Sequence, residues 1–242
     1  SMIAAYKPAR YHINWLGFPG SMGFHHGKAL FDFILSDEYI IPPNTVNDYA
    51  EKVLYLPHCY QPNIENRPSL ITKTKKDYGF SEEAFIYASF GQSIKVTNNQ
   101  FNLWINLLKK CPKAYLWLLE ANKSCKDNLL LHATQRGIDK KRIQFAPKVT
   151  IEEHINRHQI IDLFLDTFPY NAHTSTSDAI WANCPVLTLS GQTFASRVAG
   201  SILREINCKE LITHNEDEYF NKAIELYKSP KELSRIKQKI II

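Results

Sequence analysis

From about Ser81 onward, apolar and polar positions along the chain follow two alternating rhythms. Short, nearly continuous apolar runs at Ala84–Phe90, Ala114–Leu119, Arg142–Ala146, Ile161–Leu165 and Pro185–Leu189 predict buried β-strands. Between them, apolar residues recur at three- and four-residue spacing over Gln100–Lys110, Asp127–Arg136, Ile151–His158, Thr174–Ala182 and Phe194–Glu205, which predicts helices. Strict strand–helix alternation implies an α/β fold, a parallel sheet covered on both faces. Two further helices are expected over Asn215–Tyr227 and Pro230–Ile240, and the apolar, uncapped ending suggests that the parent polypeptide continues.

Before Ser81 the pattern changes. His12–Leu16, Phe31–Leu35 and Lys52–Leu56 predict strands, Gly17–Gly23 is a turn-rich loop, and Pro57–Pro68 has the composition of a crossing segment. Three strands with little helix make a poor independent domain. Residues 1–72 are therefore expected to be the C-terminal part of a preceding domain, and 73–242 a ligand-binding α/β domain.

Composition narrows the function. The net charge is +5, but Lys and Arg occur in short groups such as Lys73–Lys76 and Lys140–Arg142, without a long basic stripe. Neither nucleic-acid nor membrane binding is expected, since no apolar run approaches the roughly 18 residues needed to span a bilayer. The five cysteines are widely spaced and form no C-x-x-C pair, which fits a reducing, cytoplasmic setting.

The segment with most chemical content is Asp166–Asp178, DTFPYNAHTSTSD. It joins a strand end to a hydroxyl-rich helix start. In a parallel sheet, ligands gather beyond the carboxyl ends of the strands. The free N–H groups of a helix's first turn, its dipole, and the hydroxyls of Thr174, Ser175 and Thr176 would suit a phosphate or diphosphate, with His173 at the mouth. An ordinary capped crossover would have the same local sequence. Gly91–Lys95 and Ala146–Lys148 also follow strands and should face the same ligand.

The stretch DTFPYNAHTSTSDAIWANCPVLTLSGQTFASRVAGSIL, from Asp166 to Leu203, resembles the signature of the O-GlcNAc transferase family, glycosyltransferase family 41, in its bacterial form. That resemblance implies a GT-B fold of two facing Rossmann-like domains, of which this chain would be the C-terminal half plus the end of the preceding domain. It implies transfer of GlcNAc from UDP-GlcNAc to Ser or Thr of an acceptor protein. The alternatives are another UDP-sugar, or an inactive UDP-binding or scaffolding module. The family's tetratricopeptide repeats and most of its first catalytic domain have no counterpart in the sequence.

Residue by residue, the resemblance assigns roles. Trp15–Gly23 is similar to the family's WLGYPGTSG loop and would bring Leu16 and Gly17 near the donor sugar. Phe90–Lys95 is similar to FNQxxK or FGQxxK, placing Gln92 and Lys95 on the diphosphate, with Lys95 stabilising the charge on departing UDP. His154, in Glu152–His154, would contact uridine. The family often has a basic residue shortly before that motif; here Ile151 stands three before the His, and Lys148, further back, is the candidate for that contact. His173, Thr174 and Ser175 match HTT at the phosphates, and Asp178 would hold the ribose hydroxyls. Asn183 stands where WAGxP has Gly, so positive φ is expected there, which Asn tolerates. The adjacent His25 and His26 could point apart, and no metal or other cofactor is expected because Lys95 and the helix terminus would supply the positive charge.

Overall fold

The computed structural model describes residues 2–63 and 66–241. Ile64 and Glu65, inside the predicted crossing segment, and the final Ile242 lie outside the described residues.

After a short helix α1 (Met2–Ala5), strands β1 (Ile13–Asn14), β4 (Phe33–Ser36) and β5 (Lys52–Tyr55) form a parallel three-stranded sheet in the order β1-β4-β5. Between β1 and β4 lies a ladder of β2 (Phe24–His25) and β3 (Lys28–Ala29) that the hydrophobic pattern does not show. Its two-residue turn is His26-Gly27, with φ of 49° and 74°. Positive φ at both central positions matches the right-handed twist of a tight hairpin. The expected divergence of the two histidines is not observed: their rings pack edge-on with centroids 4.2 Å apart.

The second sheet contains β6 (Phe85–Ser89), β7 (Ala114–Leu119), β8 (Ile143–Ala146), β9 (Leu163–Leu165), β10 (Val186–Leu189) and β11 (Ile212–Thr213). All six are parallel, in the order β11-β10-β9-β6-β7-β8. The five predicted strands are present. β11 is an edge strand of two residues, too short to register as an apolar run.

Helices α2 (Asn98–Lys110), α3 (Lys123–Gln135), α4 (Ile151–Asn156), α5 (Thr174–Trp181), α6 (Val198–Glu205), α7 (Glu216–Lys228) and α8 (Pro230–Ile240) connect and flank these strands. The central strands read as unbroken apolar runs because helices bury both faces; all of β9 and four of five residues of β6 are buried. The helices start where side chains satisfy first-turn amides. Thr97 accepts from the Gln100 N–H, Asn122 from Cys125, Thr150 from Glu153 and Asn215 from Glu218. Two predicted helices are interrupted. The 151–158 segment tightens into a 3₁₀ turn from Arg157, and a 3₁₀ turn at Phe194–Ser196 precedes α6.

Within the second sheet, β6 is strand one and β9 strand four of a 3-2-1-4-5-6 arrangement. The chain reverses its direction of progression between these two strands, so the loops after β6 and β9 part to opposite sides and leave a crevice at their carboxyl ends. Lys95 follows β6 and His173 follows β9. Topology alone therefore brings the two predicted diphosphate segments together.

Candidate functional site

The β9–α5 loop is fixed by a carboxylate. Asp166 is fully buried; its Oδ1 accepts from the Ala172 N–H at 2.6 Å and its Oδ2 from Thr188 Oγ1 at 2.6 Å. Its backbone oxygen accepts from Gln100 Nε2 and from the Tyr219 hydroxyl. Asn171 donates its Nδ2 to the Thr167 and Leu189 carbonyls, and Thr167 Oγ1 donates to the Tyr170 carbonyl. The loop is thus tied to the sheet at both ends.

On this platform, Lys95 Nζ donates to the Asn171 carbonyl at 3.0 Å and lies 4.2 Å from the centroid of the Tyr170 ring. Tyr170 stacks on His173, with centroids 5.3 Å apart and planes 21° apart. Burial lowers the Lys95 ammonium from its ordinary range, opposed by the charge of Asp166. Burial also brings His173 down to about 4, with Lys95 pushing the same way, so the imidazole is neutral at pH 7. His173 caps α5 without a side-chain hydrogen bond to the helix, while its carbonyl accepts from the Thr176 and Ser177 amides. The first-turn amides of Thr174 and Ser175 consequently point outward as donors. Thr174 is exposed and Ser175 half-buried.

A second cluster lies one turn along α5. Asp178 Oδ1 accepts from Arg67 Nη1 at 2.8 Å, and its Oδ2 is 3.9 Å from His154 Nε2. Burial raises the Asp178 carboxyl and Arg67 lowers it. Arg157 Nη2 bonds to His154 Nδ1, which assigns the proton of the neutral ring to Nε2, facing Asp178. Burial lowers His154 to about 4, helped by Arg157. Arg157 also stacks 4.3 Å over Phe90 and donates to the Pro147 carbonyl. Phe90 and His154 lie 5.8 Å apart, so the cluster joins the end of β6.

The predicted residues do not all converge. Lys95 and His173 meet through Tyr170, and His154 meets Asp178. Gln92 is exposed and is only the backbone lead-in to the turn carrying Lys95. Leu16 and Gly17 are exposed in the loop after β1, with Leu16 at φ 63°. A Cβ built on Gly17 would meet nothing within 4 Å, so packing within the chain does not demand glycine there. Their neighbour Trp15 donates to the Tyr60 carbonyl, and the Tyr60 ring packs edge-on against Phe194, which links the loop toward the β10–α6 side of the crevice. Lys148 is exposed, and the cation beside His154 is Arg157.

Four contributors escaped the sequence reading: Asp166, Tyr170, Arg157 and Arg67. Asp166 had a signal, a carboxylate at the end of a buried strand, where an acid needs a structural partner. Arg157 had a weaker one, lying three residues after His154 on the same face. Arg67 had none, since it is 111 residues from Asp178. A cavity of about 550 Å³ lies beside α6, and one of about 690 Å³ between α5, α6 and α8 borders the second cluster through Arg67; neither is lined by Lys95 or His173.

The two parallel sheets, with Lys95 and the N-terminus of α5 at the switch point of the second, define an α/β protein of GT-B type. The chain belongs to glycosyl transferase family 41, whose family model matches residues 1–62 and 61–242. It is 34% identical over 231 residues to the probable UDP-N-acetylglucosamine–peptide N-acetylglucosaminyltransferase SEC of Arabidopsis thaliana, an alignment covering 93% of this chain and 23% of that protein. It is 30% identical over 172 residues to the UDP-N-acetylglucosamine–peptide N-acetylglucosaminyltransferase of Caenorhabditis elegans, covering 71% of this chain and 15% of the relative. The chain thus spans less than a quarter of the length of either. Its fold matches the solved structure of a mutant Thermobaculum terrenum O-GlcNAc transferase with a TM-score of 0.84 at 24% identity, covering 98% of this chain and 44% of that one.

Proposed function

We propose that this chain is the donor-nucleotide part of a protein O-glycosyltransferase that passes GlcNAc from UDP-GlcNAc to Ser or Thr side chains, in a reducing compartment such as the cytoplasm. The observation that carries this reading is the meeting of Lys95 with the β9–α5 loop at the switch point. The donor and the peptide acceptor are those named for the two relatives. The free thiols of all five cysteines support the compartment.

In this reading the diphosphate lies across the N-terminus of α5 and accepts from the Thr174 and Ser175 amides and hydroxyls. Lys95 has three N–H donors and one hydrogen-bond acceptor, the Asn171 carbonyl, among the described residues, which leaves donors for the β-phosphate. The neutral His154 ring lies against the base, and Asp178 accepts from the ribose. The acceptor hydroxyl oxygen bonds to the anomeric carbon, its proton is released, and the bond to the β-phosphate oxygen breaks with inversion. Lys95 and the helix terminus stabilise the negative charge that collects on UDP. Leu16 and Gly17 border the sugar from the preceding sheet.

Incubation of the chain with labelled UDP-GlcNAc and a Ser/Thr peptide library tests this. Transfer that Lys95→Ala abolishes is the expected result. Nucleotide binding without transfer would make the chain a UDP-binding module, and strong preference for another UDP-sugar would change the donor.

A further inference from the structure

Asp178 poses an electrostatic problem that α5 does not solve alone. Its side chain is only 10% exposed, and a carboxylate so placed favours its neutral, protonated form unless a cation or donors hold the charge. A protonated carboxyl would lose acceptor capacity toward two hydroxyl donors. The partner that holds it comes from outside the α/β domain's own elements. Arg67, 8% exposed, reaches in from the segment between the two sheets.

The geometry of the pair is one-sided. Arg67 Nη1 occupies Oδ1 at 2.8 Å, while Nη2 turns away to Asn63 Oδ1 at 2.7 Å. The guanidinium is also 5.7 Å from the Trp181 ring. A bidentate fork would consume both carboxylate oxygens; this one leaves Oδ2 free on the side of His154, whose Nε2 is beyond hydrogen-bond reach at 3.9 Å. We infer that Arg67 is a positioning residue for nucleotide binding, holding Asp178 ionised and aiming its one free oxygen at the ribose hydroxyls. This rests on the UDP-sugar reading above and assigns a role to a residue outside every sequence motif of the site.

The other groups facing Asp178 do not replace Arg67. His154, from α4, is neutral at pH 7, and Arg157 lies behind it, bonded to its far nitrogen. His58 and Glu205 pair with each other and line the cavity beyond Arg67. Removing the guanidinium therefore leaves burial of the carboxylate unopposed at close range.

The test is calorimetry with UDP-GlcNAc from pH 8 to pH 5.5 on the parent chain, Arg67→Gln and Arg67→Lys, with thermal melting to confirm folding. UDP-GlcNAc is the right probe because its diphosphate diester does not change charge in this range. The parent's profile is the baseline, since Asp166 beneath the neighbouring loop titrates near 7 in every variant alike. Arg67→Gln should bind on the order of tenfold more weakly at pH 8, the scale of one lost charge-assisted contact, and lose further affinity as the pH falls. Arg67→Lys, which keeps the charge but not the fork, should be weaker than the parent yet follow the parent's pH profile. A profile in Arg67→Gln parallel to the parent's, with or without loss of affinity, would overturn the inference and leave the nucleotide site standing. Failure of the parent chain to bind at all would overturn the UDP-sugar reading and this inference with it.

Discussion

His154, His158 and His173 are each buried as neutral imidazoles, at about 4, 3 and 4, and Asp166 is pushed by burial in the opposite direction, to about 7. These shifts set the pH dependence of stability. The imidazoles take up protons near pH 6.5 when unfolded but only near pH 4 or below when folded, so acid favours the unfolded state in that window. Asp166 does the reverse, holding its proton in the folded state up to about 7, and offsets one of the three. Net uptake of about two protons on unfolding is expected between pH 6.5 and 4.5. Stability from urea titration should then fall by more than about 1.4 kcal/mol per pH unit across that window. A flat profile would show that these imidazoles titrate normally, and their NMR shifts would locate the error.

At the scale of elements, Asn183 tests the end of α5. It sits at φ 58°, the left-handed conformation expected for the family's Gly position. Asn183→Ala should cost about 1 kcal/mol in denaturant titrations and Asn183→Gly less than about half of that, because a Cβ in this region is strained and Asn tolerates it better than most side chains. Equal stability of all three would mean that the turn relaxes. Elements with long periodic signals were legible in the sequence: five strands of the second sheet and its main helices, because a parallel sheet covered on both faces needs unbroken apolar runs. What was not legible depended on contacts far along the chain. β11 is defined by pairing with β10, the β2–β3 ladder by its turn dihedrals, and Arg67 by an ion pair that no local pattern encodes. Resemblance to family motifs named Lys95, His154, His173 and Asp178, but only the coordinates showed them joined through Tyr170, Asp166 and Arg157.

At the scale of the whole molecule, the two sheets are held together by a small polar joint. Asp37, just after β4, accepts from Ser201 Oγ of α6 at 2.6 Å and from the Tyr60 amide at 3.0 Å, and the Tyr39 hydroxyl donates to Ser190 Oγ at 2.8 Å. Tyr39 lies directly over Gly200, where a Cβ would stand 2.6 Å from its ring. A Gly-to-Ala change inside a helix ordinarily gains up to about 1 kcal/mol. Gly200→Ala should instead lose about 1–3 kcal/mol and increase amide exchange over residues 33–55, because Tyr39 must leave Ser190. A stabilised variant with unchanged exchange would show that the joint does not depend on this contact.

The measurement that bears most directly on the account is calorimetry of UDP and UDP-GlcNAc on residues 1–242, beside Lys95→Ala and Asp178→Ala. The crevice between the loops after β6 and β9 predicts that the parent chain binds both ligands and that each substitution weakens binding by about 1.5–3 kcal/mol, the scale of a hydrogen bond to a charged group. Absence of binding by the parent chain, or equal binding by all three proteins, would contradict the assignment of the donor site to this crevice.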